Sequence, residues 1–261
     1  MRKSLLTQFL RSHRMRLKPS DVGLPAEAGR RVEGLRRNEV ALLADVGVTW
    51  YTWLEQGRSI KLASATLDRI ANALRLDGDE TEYLRKLVAS HTEELPPWDT
   101  PVPPRVVRLV ETRSAPAFVR GARWDLMHAN ERYRSVLCTK EWSGAYDRNY
   151  LWFLFTNPAA RSIFPNWTTI AERATAMFRF ESASYADEPS FRGLISDLFA
   201  VSAEFTELWN AGRVVSPFAP RFDQLRHPDG SEVTYETILL SIPDAPNLTV
   251  CFMLPYEEEL T

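Results

Sequence analysis

RNEVALLADVGVTWYTWLEQGR, residues 37–58, is the stretch that decides how the first part of the chain folds. Val40, Ala41, Leu43 and Ala44 give a short helix one apolar face, because residues three and four apart share a side of a helix. Asp45-Val46-Gly47 interrupts that spacing, and Tyr51 and Leu54 resume it in a second short helix. Gly57 ends the second helix where a residue with positive φ is wanted. Two short helices joined by a turn of about three or four residues outline a helix-turn-helix, whose second helix enters the DNA major groove. The small Ala41 lets the helices cross closely, while Val46, Tyr51 and Leu54 hold the second against the first. Thr49, Trp50, Thr52 and Trp53 are left to face outward. Asp45 stands where such turns usually carry glycine, and Asp tolerates left-handed backbone better than most residues. The same pattern also fits a helical hairpin packed into a larger bundle.

Outward from this stretch, the flanks build a small helical domain. Leu6, Phe9, Leu10 and Leu17 mark a first helix, and Pro19, Gly23, Pro25, Gly29 and Gly34 punctuate a loop. Arg30, Arg31, Arg36 and Arg37 make that loop basic, which suits either a solvated surface or an arm on DNA phosphates. Ser64 can cap a helix with core face Leu67, Ile70, Ala71 and Leu74, and Asp77 or Asp79 opens a last one through Leu84, Leu87 and Val88. Residues 1–90 therefore read as an all-α, five-helix domain. They carry 16 Lys+Arg against 11 Asp+Glu, whereas the remainder carries 16 against 23. A basic first part beside an acidic remainder fits a nucleic-acid module joined to something else.

HTEELPPWDTPVPP, residues 91–104, holds five prolines and no helical periodicity, so it reads as a semi-rigid linker. Residues 105–261 change character. Ala117–Val119 and Trp124–Met127 flank Arg120-Gly121-Ala122-Arg123 as a hairpin would. Helices are expected over Ala129–Leu137, Tyr150–Phe155, Pro158–Ile163, Thr168–Phe180 and Pro189–Ala203. Strands are expected over Phe222–His227, Val233–Ile242 and Leu248–Leu254, joined by turns at 228–230 and 244–247. The second domain is α+β, with a small antiparallel sheet against several helices.

The second half shows no pattern for chemistry. His13, His91, His128 and His227 are isolated from the partners that zinc spacing requires. There is no phosphate-cradling glycine loop and no nucleophile elbow. Asp187/Glu188 and Glu204/Glu207 read as caps and solvated faces. No catalytic or metal residue is therefore expected, nor an enzyme, nor a cofactor beyond a bound fatty acid or other apolar ligand. Cys138 and Cys251, the only cysteines, fit a reduced cytoplasmic compartment. No apolar run approaches a membrane span, so no membrane partner is expected.

Aromatic weight is the feature that stands out. It fits plain core, or helices closing over a sheet around a ligand cavity. If there is a cavity, its walls are expected among Phe118, Trp124, Trp152, Phe155, Phe178, Trp209 and Tyr235, with Arg120, His227 or Tyr235 fixing a polar head.

Residues 5–17 with DVGLP (21–25), GLRRNEVALLADVGVTWYTWLEQGR (34–58), NPAARSIFPNW (157–167), EFTELW (204–209) and LRHPDGSEVTYET (225–237) together resemble the MmyB-like transcription regulators. These belong to the lambda-repressor-like, xenobiotic-response-element superfamily, and the resemblance spans essentially the whole chain. It implies a five-helix DNA-binding domain followed by a PAS-like domain that senses a fatty-acid-like or other apolar small molecule. By position in the motif, Arg37, Thr49, Trp50, Thr52 and Trp53 would face double-stranded DNA, with Arg36 and Arg58 near phosphate. One departure is Asn157, where an acidic residue is expected before Pro158. A single short helix reads too few bases to find one site in a genome, so a homodimer is expected. The competing expectation is a DNA-binding regulator whose second domain serves only dimerisation or partner recruitment.

Overall fold

The computed structural model describes residues 1–25, 32, 34–58, 60, 62–89, 100–137, 146–217 and 220–256. The chain forms two compact units: Met1–Glu93 with Ala183–Glu188, and Glu94–Ser182 with Pro189–Thr261.

Among its described residues the first unit contains five α-helices: α1 Arg2–Arg16, α2 Arg37–Leu43, α3 Val48–Glu55, α4 Ser64–Ala73 and α5 Gly78–Val88. A short 3-10 turn, Pro19–Val22, lies where a loop was expected. Leu5, Leu6, Phe9 and Leu10 bury one side of α1. Val40, Ala41, Ala44, Tyr51 and Leu54 are buried between α2 and α3, as the apolar spacing requires. Asp45 adopts φ 50° and lets the chain turn between these helices. Gly57 follows α3 with φ 70°. A side chain there would also press its Cβ to 2.8 Å from the Lys3 carbonyl oxygen, so glycine is needed for space as well as for conformation. Ser64 is the first residue of α4 rather than its cap, because Ala63 takes the flanking position without a side-chain bond. Asp77 opens α5 with a capping box: its carboxylate accepts from the Glu80 amide at 2.8 Å, and Glu80 accepts from the Asp77 amide at 3.0 Å.

The second unit contains α6 Pro104–Glu111, β1 Ala117–Gly121, β2 Leu126–Ala129, α7 Glu131–Val136, α8 Tyr150–Thr156, α9 Pro158–Ile163, α10 Trp167–Ser182, α11 Pro189–Val201, α12 Ala203–Asn210, β3 Phe222–Arg226, β4 Glu232–Ser241 and β5 Leu248–Pro255. The strands form one antiparallel sheet in the order β2-β1-β5-β4-β3. Sequence reading did not anticipate α6, because Pro103 and Pro104 looked like linker. Proline is tolerated at the first turn of a helix, and Val106 and Val110, one turn apart, then face the sheet. Residues 91–99 of the expected linker lie outside the described residues. The helix expected to run on to Ala203 stops instead at Val201. Ser202 turns extended, and its hydroxyl accepts from the Phe205 amide at 3.0 Å to start α12. Asn157 caps α9 by accepting from the Ala159 amide at 2.9 Å, the bond an acidic residue would have made.

Strand alternation gives the sheet two different faces. Ala117, Val119, Leu248 and Val250 pack with Val106 and Val110 of α6 on one face. Further along that face, Phe222, Ile238, Leu240 and Leu254 are exposed. Phe118, Arg120, Asp223, Leu225, Thr237 and Met253 look the other way, toward a cavity.

Candidate functional site

The outward side of α3 in the first unit carries the expected reading residues. Thr49 is exposed, Trp50 and Thr52 are half-buried, and Trp53 is 41% exposed. The Thr52 hydroxyl donates to the Val48 carbonyl at 2.8 Å, and the Arg58 guanidinium lies 5.4 Å from the Trp53 ring centroid. Arg36, Arg37 and Thr52 line one open groove with Arg11. Arg30 and Arg31 lie outside the described residues.

Behind this surface is a charge cluster that sequence reading missed. Glu55, on the inward side of α3, is 1% exposed at its side chain. Arg14 of α1 donates to both its oxygens, Nε to Oε2 at 2.7 Å and Nη2 to Oε1 at 2.9 Å. Arg14 Nη1 also donates to the Leu35 carbonyl at 2.7 Å. Arg37 Nε reaches Glu55 Oε1 at 3.0 Å while its side chain stays 45% exposed. Burial alone would raise the Glu55 carboxyl, but hydrogen bonds and charge from Arg14 and Arg37 outweigh burial and hold it below its ordinary value. The expected DNA-facing Arg37 is thus also a strut between α2 and α3.

The second unit holds a cavity of about 50 Å³ between one face of the sheet and the helical side. Its apolar wall includes Phe118, Trp124, Leu126, Phe164, Leu225 and Met253. Tyr133 of α7, Tyr150 of α8 and Arg120, Arg221 and Asp223 bring polar groups to the same space. Arg120 is tied bidentately to Glu181 at the end of α10, at 2.7 and 2.8 Å. Glu181 also accepts from the Trp124 indole at 2.5 Å. Burial would raise the Glu181 carboxyl, but the Arg120 charge and these bonds hold it below its ordinary value.

Trp124 has φ 66°, which is unusual for a bulky residue. Its surroundings over-determine that conformation. Its amide donates to the Gly121 carbonyl at 2.9 Å and its carbonyl accepts from Tyr150 at 3.1 Å. Asn149 pins the same turn by donating to the Arg123 carbonyl at 2.8 Å. Such strain persists where the surrounding structure demands it, and here it aims an indole at a cavity wall.

Asp223 is shared by two cations. It pairs with Arg173, and its Oδ2 lies 3.2 Å from Arg221 Nε. That Arg221 nitrogen is buried yet lacks hydrogen-bond alignment with any acceptor among the described residues. Burial lowers the Arg221 guanidinium from its ordinary value, and the nearby Arg120 charge lowers it further.

Of the seven expected ligand-wall residues, Phe118 and Trp124 line this cavity. Phe155 and Trp209 pack around Phe205, Phe178 lies between Trp124 and Phe191, and Trp152 packs on Tyr146. Tyr235 and His227 bond to each other at 2.9 Å. Tyr133, Tyr150, Asp223 and Arg221 were not singled out from sequence. The alternation of Phe118 with Val119, and of Asp223 with Gln224, was the signal that could have found this sheet face.

Among the described residues, no cluster of three or more His, Cys, Asp and Glu could hold a metal ion. Nor is any described helix long and apolar enough to cross a membrane.

Residues 102–260 match the family model described as MmyB-like transcription regulator ligand binding domain. Residues 5–84 match a helix-turn-helix domain model. No curated protein matches the chain. A solved structure titled "Structure of an RNA-binding Light-Oxygen-Voltage Receptor" aligns with 84% of this chain and 58% of its own, at 12% identity and a TM-score of 0.24. The aligned part is thus little more than half of that protein's length.

Proposed function

Because the chain belongs to the MmyB-like transcription regulator family, with a helix-turn-helix domain ahead of that family's ligand-binding domain, we propose that an apolar small molecule bound in the second unit controls the DNA affinity of the first. The observation that carries this reading is the cavity walled by Phe118, Trp124, Leu126, Phe164, Leu225 and Met253. Aromatic and aliphatic walls with a few polar groups suit a mostly apolar guest, and each buried methylene contributes about 0.8 kcal/mol. We read the protein as a cytoplasmic regulator and not an enzyme, which the pairing of these two domains supports.

The exposed side chains of α3, with Arg36, Arg37 and Arg58 beside them, supply the DNA contacts in this reading. For the guest to regulate, it must bind one arrangement of the protein better than another, since equal affinity shifts nothing. The test starts with an operator selected from random duplexes by the full-length protein. Operator binding is then measured after stripping bound lipid, with and without added acyl and aromatic ligands. Regulation predicts a shift in operator affinity with at least one ligand class. A protein whose operator affinity ignores every ligand would fail this reading.

One observation favours an accompanying role in assembly. Ile238, Leu240, Leu254 and Phe222 leave an apolar strip on the sheet face that α6 covers only in part. We propose a homodimer joined through this strip, which would place two reading helices on two half-sites. Replacing Ile238 and Leu240 together with Asp should leave a folded monomer by light scattering. A wild-type chain that is already monomeric would exclude the dimer.

A further inference from the structure

The cavity of the second unit has more donors than its own acceptors use. Among the described residues, Arg120, Arg173 and Arg221 face only Glu181 and Asp223 there, which leaves one positive charge in excess. Arg120 is held bidentately by Glu181. Arg221 is not engaged in the same way: its side chain is 19% exposed, and it donates no aligned hydrogen bond to a described residue. The phenols of Tyr133 and Tyr150 line the same cavity and likewise hydrogen-bond to no described residue. A guanidinium that shares its carboxylate with a second cation, beside two phenols with no acceptor among the described residues, favours an anion that can accept from all three.

The size of the space narrows the guest. A water needs about 10–15 Å³, so about 50 Å³ has room for a head group of three or four heavy atoms. A dry cavity of about 150 Å³ is enough for a benzene ring, so a compact body needs only modest rearrangement of the apolar wall. A long acyl chain needs far more. The charge excess of one matches a single negative charge.

Building on the reading of this unit as a sensor, we propose that its guest is a compact monocarboxylate whose head group is held by Arg221 with the Tyr133 and Tyr150 hydroxyls. Arg221 then sets specificity by rejecting uncharged analogues. A neutral amide leaves the excess charge unmatched and puts an N–H donor against donors.

The experiment is calorimetric titration of lipid-stripped, full-length protein with benzoate, benzamide and dodecanoate. Benzoate should bind about tenfold or more tightly than benzamide, as a charge-assisted contact requires. Benzoate should also bind more tightly than dodecanoate. Arg221→Gln should abolish the preference for benzoate over benzamide. The paired Tyr133→Phe and Tyr150→Phe replacements keep both rings, and should weaken benzoate several-fold while leaving benzamide unchanged. Thermal melts check that each variant folds. Equal affinity for benzoate and benzamide, tighter binding of dodecanoate, or an undiminished preference in either folded variant overturns the proposal while leaving ligand sensing intact. If none of the three probes binds to protein that still binds DNA, the sensor reading falls and this proposal falls with it.

Discussion

Each unit sets a carboxylate against arginines, Glu55 fully buried and Glu181 half-buried, and the two clusters do different things. In the first unit Glu55 is enclosed, accepts from Arg14 through both oxygens, and sends Arg37 partly into solvent. In the second unit Glu181 is equally well bonded to Arg120, but the neighbouring Arg221 and two phenols face a cavity with bonds unmade. A charge cluster whose arginine donors are all matched or solvated holds helices together. One that leaves donors around an empty space is prepared for something that is not protein. Whether the donors are used, rather than how many charges there are, separates a brace from a receptor.

The largest effect should come from breaking the brace. Glu55→Gln leaves Arg14 buried with a neutral partner, and should destabilise the first unit by about 3–5 kcal/mol in urea unfolding. Glu181→Gln should cost less, about 1–3 kcal/mol, because Arg120 lies on a cavity that water can enter. Equal costs for the two substitutions would mean that both clusters brace the fold alike.

Acid should weaken both clusters, with a definite sign. Glu55 and Glu181 are both held below the ordinary carboxylate value of 4.5, so the unfolded chain takes up protons first as pH falls. Their stabilisation is complete above pH 4.5 and is lost as pH drops through the folded-state values below it. Chemical denaturation as a function of pH should show a decline below that point, blunted in the Glu55→Gln protein. A stability that rises on acidification would contradict both assignments.

A smaller effect sharpens the division between brace and surface. Thr49→Ala should lower discrimination among DNA sequences by about 1–3 kcal/mol while moving stability by less than about 0.5 kcal/mol. Binding assays and melts on the same preparation separate the two. Loss of stability in step with loss of binding would place Thr49 in the packing and not on the reading face.

The elements were more legible in the sequence than the site. Asp45, Gly57 and the spacing of Val40, Tyr51 and Leu54 act over a few residues, so the α2–α3 unit could be read directly. The three carboxy-terminal strands could also be read, because turn residues at 228–230 and 244–247 bracket β-branched alternation. Where chemistry was ambiguous, reading failed: Pro103-Pro104 looked like linker but opens α6, and Ser202 looked helical but caps α12. Of the polar half of the cavity, Arg120 was legible and strand alternation pointed to Asp223, whereas Arg221, Tyr133 and Tyr150 had no local signature. Arg120 and Glu181 are 61 residues apart, and only the sheet and α10 bring them together. Aromatic residues were easy to find, yet abundance did not tell Trp124, on the cavity, from Trp209, packed against Phe205.

The two-faced sheet has a consequence for how this protein can change over generations. Thr237 lines the cavity and its neighbour Ile238 lies on the opposite, exposed face, so their roles are assigned by odd and even positions along β4. A single-residue insertion or deletion that shifts β4 against β5 would exchange the two sets and damage both at once. Substitutions can tune either face alone, whereas length changes of one residue cannot. Viable length variation should therefore collect in the turn at 228–230, where an added residue can be absorbed without moving the strand pairing.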